Sequence, residues 1–350
     1  MNAKQTNTKK LNLALQGGGA HGAFTWGVLD RLLEDERVDI EAISGTSAGA
    51  MNGVLLADGL MRDGTQGARA ALSRFWRDVS KAARFSPLQR GPVDMFMGNW
   101  SLDTSPAYLF FDMLTRVAGP YELNPFDVNP LRDILDEHVD FELVRSCDKV
   151  RLYISATNVE TGRVKVFDRH QLTCQMVMAS ACIPFMFKAV EIDGIPYWDG
   201  GYMGNPVLFP FFGHDGACDI LIVQINPIER KGVPKTSREI LNRVDEITFN
   251  ASLLKELRSI DFVRRLLEDG RLEPGHYSKV NVHIVEAGDE MRSFGASSKL
   301  NAEWAFLKHL FAIGRNAADN WLEKNFDAIG LRSTVDLRAM FEGQGPAHQE

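Results

Sequence analysis

Along the first part of the chain apolar and polar positions alternate in short blocks. Residues 11–15 are apolar except for Asn12 and run into Gln16 and three glycines, which reads as a β-strand entering a loop. Apolar residues then recur at helical spacing over 23–33, a β-strand pattern follows at 40–44, and a second helical pattern covers 47–61. Strand, helix, strand, helix is most economically a parallel pair with a crossover, so an α/β sheet covered on both faces is expected. Runs of Val, Ile, Tyr and Phe return at 150–157, 163–167, 190–192 and 220–225, with a short helix at about 171–181. Between these core strands, residues 64–148 read as an insertion, with a helical piece at 68–83 and then Pro, Gly, Met and aromatics through 130. Beyond Pro227, helical patterns at 237–268 and 299–324 flank one strand at 280–285. In the first of them Leu253, Leu254, Leu257, Ile260, Val263 and Leu267 form a stripe suited to packing against the sheet.

The expected organisation is therefore a tail at 1–10, a catalytic domain at 11–230 carrying the insertion at about 64–148, a mainly helical C-terminal extension at 231–335, and a loosely held tail at 336–350. With 350 residues, 45% of them hydrophobic and 24% charged, the chain has material for a large core. Its net charge of −7 disfavours broad phosphate-backbone binding, and no nucleic-acid signature is present. Cys147, Cys174, Cys182 and Cys218 lack metal or redox spacing and read as reduced, buried thiols. Lysines precede the apolar run at 11–15, but that run is too short for a signal peptide. No stretch approaches the roughly 18 apolar residues of a spanning helix. A cytoplasmic protein is expected, touching a membrane peripherally, with no metal or cofactor required.

Candidate chemistry begins in the glycine loop. Gly17, Gly19 and Gly22 satisfy the G-x-G-x-x-G dinucleotide pattern, but that reading wants an acidic residue closing the second strand. Here the strand ends in Ile43, Ser44 and Gly45, with Asp39 and Glu41 before or within it. The same loop also suits an oxyanion, because its glycines let backbone N–H groups converge at a helix start. Alone, the loop does not decide between the two uses. More decisive is Gly45-Thr46-Ser47-Ala48-Gly49, a G-x-S-x-G pattern between a strand and a helix, where a sharp turn pushes the serine hydroxyl out at the carboxyl edge of the sheet. The plainer alternative is a helix N-cap. A nucleophilic serine needs a base. Of His21, His138, His170, His214, His276, His283, His309 and His348, none sits in a recognisable strand-end loop with an acid. Asp199-Gly200-Gly201, after a hairpin at 192–196, offers a carboxylate whose flanking glycines permit close approach to another loop.

Taken together, the glycine loop at 17–22, the serine turn at 45–49 and Asp199-Gly200-Gly201 resemble the signature set of the patatin-like phospholipases. Asn129-Pro130, the segments 155–162 and 179–184, and Asn205-Pro206 resemble the family as well, so the likeness extends over about 11–226. It implies a three-layer α/β/α core and a serine acyl-ester hydrolase acting on lipid at a membrane surface, with Ser47 as nucleophile, Asp199 as base and no histidine. It further implies an oxyanion hole from the Gly18 and Gly19 amides, with Gly17 shaping the turn. An acyltransferase or a polyester depolymerase with the same dyad is the runner-up, and a dinucleotide-binding module or non-catalytic scaffold comes from another class. His21 departs from the family, where Arg or Lys is common, and leaves the loop without a fixed positive charge. Met95, Phe96, Met97, Trp100, Tyr108, Leu109, Phe110, Phe111, Met113 and Leu114 are expected to line an acyl channel or form a lid.

Overall fold

The fold was taken from a computed structural model, which describes residues 8–212, 219–272 and 277–343. Cys218, His214, His276 and His348, and the ends of both expected tails, lie outside the described residues. Eight strands form one sheet: β1 (Lys9–Leu15), β2 (Val38–Gly45), β3 (Arg151–Asn158), β4 (Val164–Asp168), β5 (Val190–Ile192), β6 (Ile195–Asp199), β7 (Asp219–Val223) and β8 (Asn281–Val285). Their order is β5-β6-β3-β2-β1-β7-β8, with β4 also on β3. The five strands from β3 to β8 run parallel, while β4 and β6 pair antiparallel with β3, and β5 antiparallel with β6. This is the mainly parallel, helix-covered sheet that the alternation of patterns predicts.

Period-two burial on β1 sorts the two faces. Leu11, Leu13 and Leu15 face one core with α1 (Gly22–Glu34) and α2 (Ala48–Ala83), whereas Ala14 faces a second core. Asp63 and Gly64 break α2, and Gly64 takes φ 56°, so the helix expected at 47–61 and the piece at 68–83 meet at that kink. The insertion continues through α3 (Pro92–Phe96), α4 (Pro106–Thr115), α5 (Pro120–Leu123), α6 (Pro130–His138) and α7 (Phe141–Ser146). Next come α8 (Cys174–Ser180) after β4, α9 (Ser237–Glu268) after β7, and α10 (Gly288–Arg292), α11 (Trp304–Asn325) and α12 (Leu337–Glu342) after β8. From α9, Leu253, Leu257 and Ile260 close the second core as their spacing predicts.

The expected C-terminal helices are present in residues 231–335, and they join the core: β8 pairs with β7 along its whole length and α11 packs on α1 in the first core. Glycines make that seam possible: a Cβ on Gly27 would lie 2.1 Å from the Phe311 carbonyl oxygen, and one on Gly314 2.1 Å from that of Phe24. Strand neighbours distant in sequence leave no local mark, so the division drawn at 230 cuts through one sheet. The helix expected from 299 starts only at Trp304, since Asn301 accepts from the Glu303 amide at 3.0 Å and donates to the Trp100 carbonyl at 2.9 Å.

Candidate active site

Parallel register brings the ends of β1, β2 and β7 to one edge, with Leu15 beside both Gly45 and Val223. The loops that follow these strands meet there. Gln16 ties two of them together, its Oε1 accepting from the Ile225 and Asn226 amides at 2.9 and 2.8 Å. The Gly17 amide donates to Asn205 Oδ1 at 2.6 Å, while its carbonyl accepts from Asn226 Nδ2 at 2.8 Å. Gly17 is thereby used up as structure. The Gly18 and Gly19 amides have no protein acceptor among the described residues.

Ser47 follows β2 on a strained turn. Its φ of 54° is costly for a residue with a Cβ, and such strain persists only where the surroundings enforce it. Here Thr46 Oγ1 donates to the Gly204 carbonyl at 2.7 Å, and the Ser47 amide donates to Ser180 Oγ at 2.9 Å. Gly49 fits because a Cβ there would sit 2.2 Å from the Leu15 carbonyl oxygen, and Gly45 because one would sit 2.7 Å from that of Gly49. Gly22 and Ala48 meet the same way, a Cβ on Gly22 falling 2.6 Å from that of Ala48. The glycine loop also presses on the serine, since a Cβ on Gly17 would fall 2.7 Å from that of Ser47.

Asp199 ends β6 and is 1% exposed. Its backbone is pinned by Cys182 and by Thr157, whose hydroxyl donates to the Asp199 carbonyl at 2.8 Å. Gly200 lies against β3, and the Gly201 amide donates to Asp199 Oδ1 at 2.7 Å. Burial pushes the carboxyl pKa up to about 6, opposed by the Gly201 amide, the Ser47 hydroxyl and the Lys299 ammonium. The Ser47 hydroxyl is thus one of the groups that stabilise the charged form of Asp199. The three sequence elements read as chemistry converge on one point, which their positions in the chain alone could not show.

Among the described residues, no histidine is hydrogen-bonded to Ser47 or Asp199. His138 bonds Asp78 at 3.0 Å, His283 bonds Asp219 at 2.9 Å, His309 stacks near Trp100, and His170 sits beside Arg169. His21 is buried, its Nε2 2.8 Å from Ser298 Oγ, and burial followed by the nearby Lys299 and Arg230 charges lowers its pKa to about 3. It is a neutral structural group. Glu41, the acid nearest the end of β2, pairs with Lys10, and the strand ends at Gly45 without an acid. The insertion side chains expected to line a channel differ among themselves: Trp100 stacks on Phe306, whereas Met95, Phe96, Met97, Leu109, Phe110 and Met113 are exposed. Sequence reasoning missed the supporting polar groups Asn226, Asn250 and Lys299. Ser180 and Asn205 do lie in the quoted segments, which was their only signal.

A mainly parallel sheet between helices thus carries a strained serine turn and a glycine loop at its carboxyl edge. The sequence pattern described as "Patatin-like phospholipase" matches residues 13–211, and the chain belongs to that family. Similar solved structures include VipD from Legionella pneumophila, at 15% identity over 87% of this chain and 67% of that one, with a TM-score of 0.33. Another is ExoU in its complex with SpcU from Pseudomonas aeruginosa, at 16% identity over 92% of this chain, with a TM-score of 0.39. This chain spans 52% of that structure's length. No curated protein sequence matches.

Proposed function

We propose that the chain hydrolyses acyl esters of phospholipids or lysophospholipids at a membrane surface, with Ser47 as nucleophile and Asp199 as base. The observation that carries this reading is Ser47 on its strained turn, pressed by the glycine loop, with its hydroxyl favouring the charged form of the buried Asp199 carboxyl. In the first step Asp199 takes the hydroxyl proton as Ser47 Oγ attacks the acyl carbonyl. The carbonyl oxygen becomes an oxyanion received by the Gly18 and Gly19 amides, each such donor contributing about 3 kcal/mol to the barrier. Collapse expels the lysolipid or alcohol, which takes the proton back from Asp199. Water, deprotonated by Asp199, then attacks the acyl-serine, and collapse releases the fatty acid while Ser47 Oγ takes the proton back from Asp199. A carboxylate is a weak base for a hydroxyl, and its rise to about 6 narrows the gap without closing it. Slow turnover follows. Residues 11–230 carry both groups, while residues 231–335 complete the sheet and core that support them.

Vesicles of phosphatidylcholine, or micelles of its lyso form, test the reading, with fatty acid measured by mass spectrometry. Wild type releases acid and Ser47→Ala does not. Equal release by folded Ser47→Ala sinks the assignment.

A further inference from the structure

His21 contributes no charge to the glycine loop. The Ser298 hydroxyl gives its own proton to the Gly295 carbonyl at 2.6 Å, so it accepts from His21 Nε2–H, and burial disfavours a second proton on the ring. The next residue supplies what the loop lacks. Lys299 lies in the turn Ala296–Leu300, which is laid against Gly19–His21, and its carbonyl oxygen would be 2.5 Å from a Cβ on Gly19. From the same residue Nζ turns inward and donates to Asn226 Oδ1 at 2.7 Å. Asn226 passes the contact on, donating through Nδ2 to the Gly17 carbonyl. One side chain therefore reaches the loop from behind.

We infer that Lys299 is a positioning residue of this site: its ammonium anchors the glycine loop through Asn226 and supplies the cationic field in which the Asp199 carboxylate works. The inference rests on the roles given above to Ser47 and Asp199. The groups facing the ammonium are Asp245 and Glu246 from α9, Arg230 from the loop after β7, and Asp199. The Phe249 ring, 6.0 Å away, covers it. Glu246 is already engaged by Arg230 and Arg243, at 2.7 and 3.1 Å. Among the described residues no carboxylate forms an ion pair with Lys299, so its field is left to act on the site. Burial lowers the Lys299 pKa, and the surrounding carboxylates only partly offset it. The Lys299 charge in turn lowers the pKa of Asp199.

The test compares the pH dependence of kcat/KM and kcat, on a soluble p-nitrophenyl ester, for wild type, Lys299→Gln and Lys299→Arg. Gln keeps a donor for Asn226 and removes the charge. Its acid limb should move to higher pH by about one unit, because an uncompensated Asp199 holds its proton longer. Arg should restore the wild-type limb. Should Lys299→Gln not fold, Asp245→Asn on the surface of α9 gives the opposite reading: with an anion facing the ammonium removed, the limb should move to lower pH. A folded Lys299→Gln whose limb stays at the wild-type position overturns the inference, as does an unmoved limb in Asp245→Asn when Lys299→Gln is unfolded. Wild type that fails to react with a fluorophosphonate, by contrast, sinks the Ser47 and Asp199 reading itself.

Discussion

Replacing Asp199 by Asn should make the protein more stable at alkaline pH while removing its base. Burial raises the folded-state pKa of Asp199 from 3.8 to about 6. Between those values the folded state binds more protons than the unfolded one, so this group's contribution falls as pH rises through the window, and its full cost is present above about pH 6. A rise of roughly 2 units at 1.36 kcal/mol each costs about 3 kcal/mol. Asn keeps an oxygen for the Gly201 amide and carries no charge to desolvate. With about 2.1 cal/mol/K of unfolding entropy per residue over 350 residues, 3 kcal/mol corresponds to a Tm about 4 °C higher. Thermal unfolding of both proteins at pH 8 and at pH 4 measures this. The difference should be present at pH 8 and mostly gone at pH 4, other titrating groups cancelling between the two. An Asp199→Asn protein no more stable than wild type at pH 8 would refute a desolvated carboxylate.

His21 carries the opposite sign, because its folded pKa of about 3 lies below its ordinary value of 6.5. The unfolded state binds the extra proton, so stability is complete above about pH 6.5 and lost as pH falls toward 3, at up to about 1.4 kcal/mol per unit. Urea midpoints at pH 7 and 5 should separate more for wild type than for His21→Gln. At the helix seam, Gly27→Val drives a side chain into the Phe311 carbonyl and should cost about 3 kcal/mol by thermal unfolding. Wild-type stability in that variant would mean that α11 does not pack on α1. For catalysis, kcat/KM should fall below about pH 6 as Asp199 protonates, read from a pH profile on a soluble ester.

Elements set by short-range signals were legible in the chain. The helix at 237–268 has the bounds its pattern predicts, because Thr236 and Glu239 form a reciprocal cap at its start. Ser47, Asp199 and the glycines could be picked out because strained or crowded backbone demands particular residue types. The placement of β8 could not be read, since its five residues carry no mark of pairing with β7. Nor could the polar scaffold behind the loop. Gln16, Asn205, Asn226, Asn250 and Lys299 are single polar residues scattered over the chain, and they become a network only when three strand ends share an edge.

Reaction of purified protein with a fluorophosphonate probe, followed by peptide mapping, tests the central claim most directly. One phosphonyl adduct on Ser47, lost in Ser47→Ala and formed far more slowly in Asp199→Asn, is the predicted result. An unlabelled wild type in the presence of lipid vesicles, or an adduct on another residue, would contradict the account.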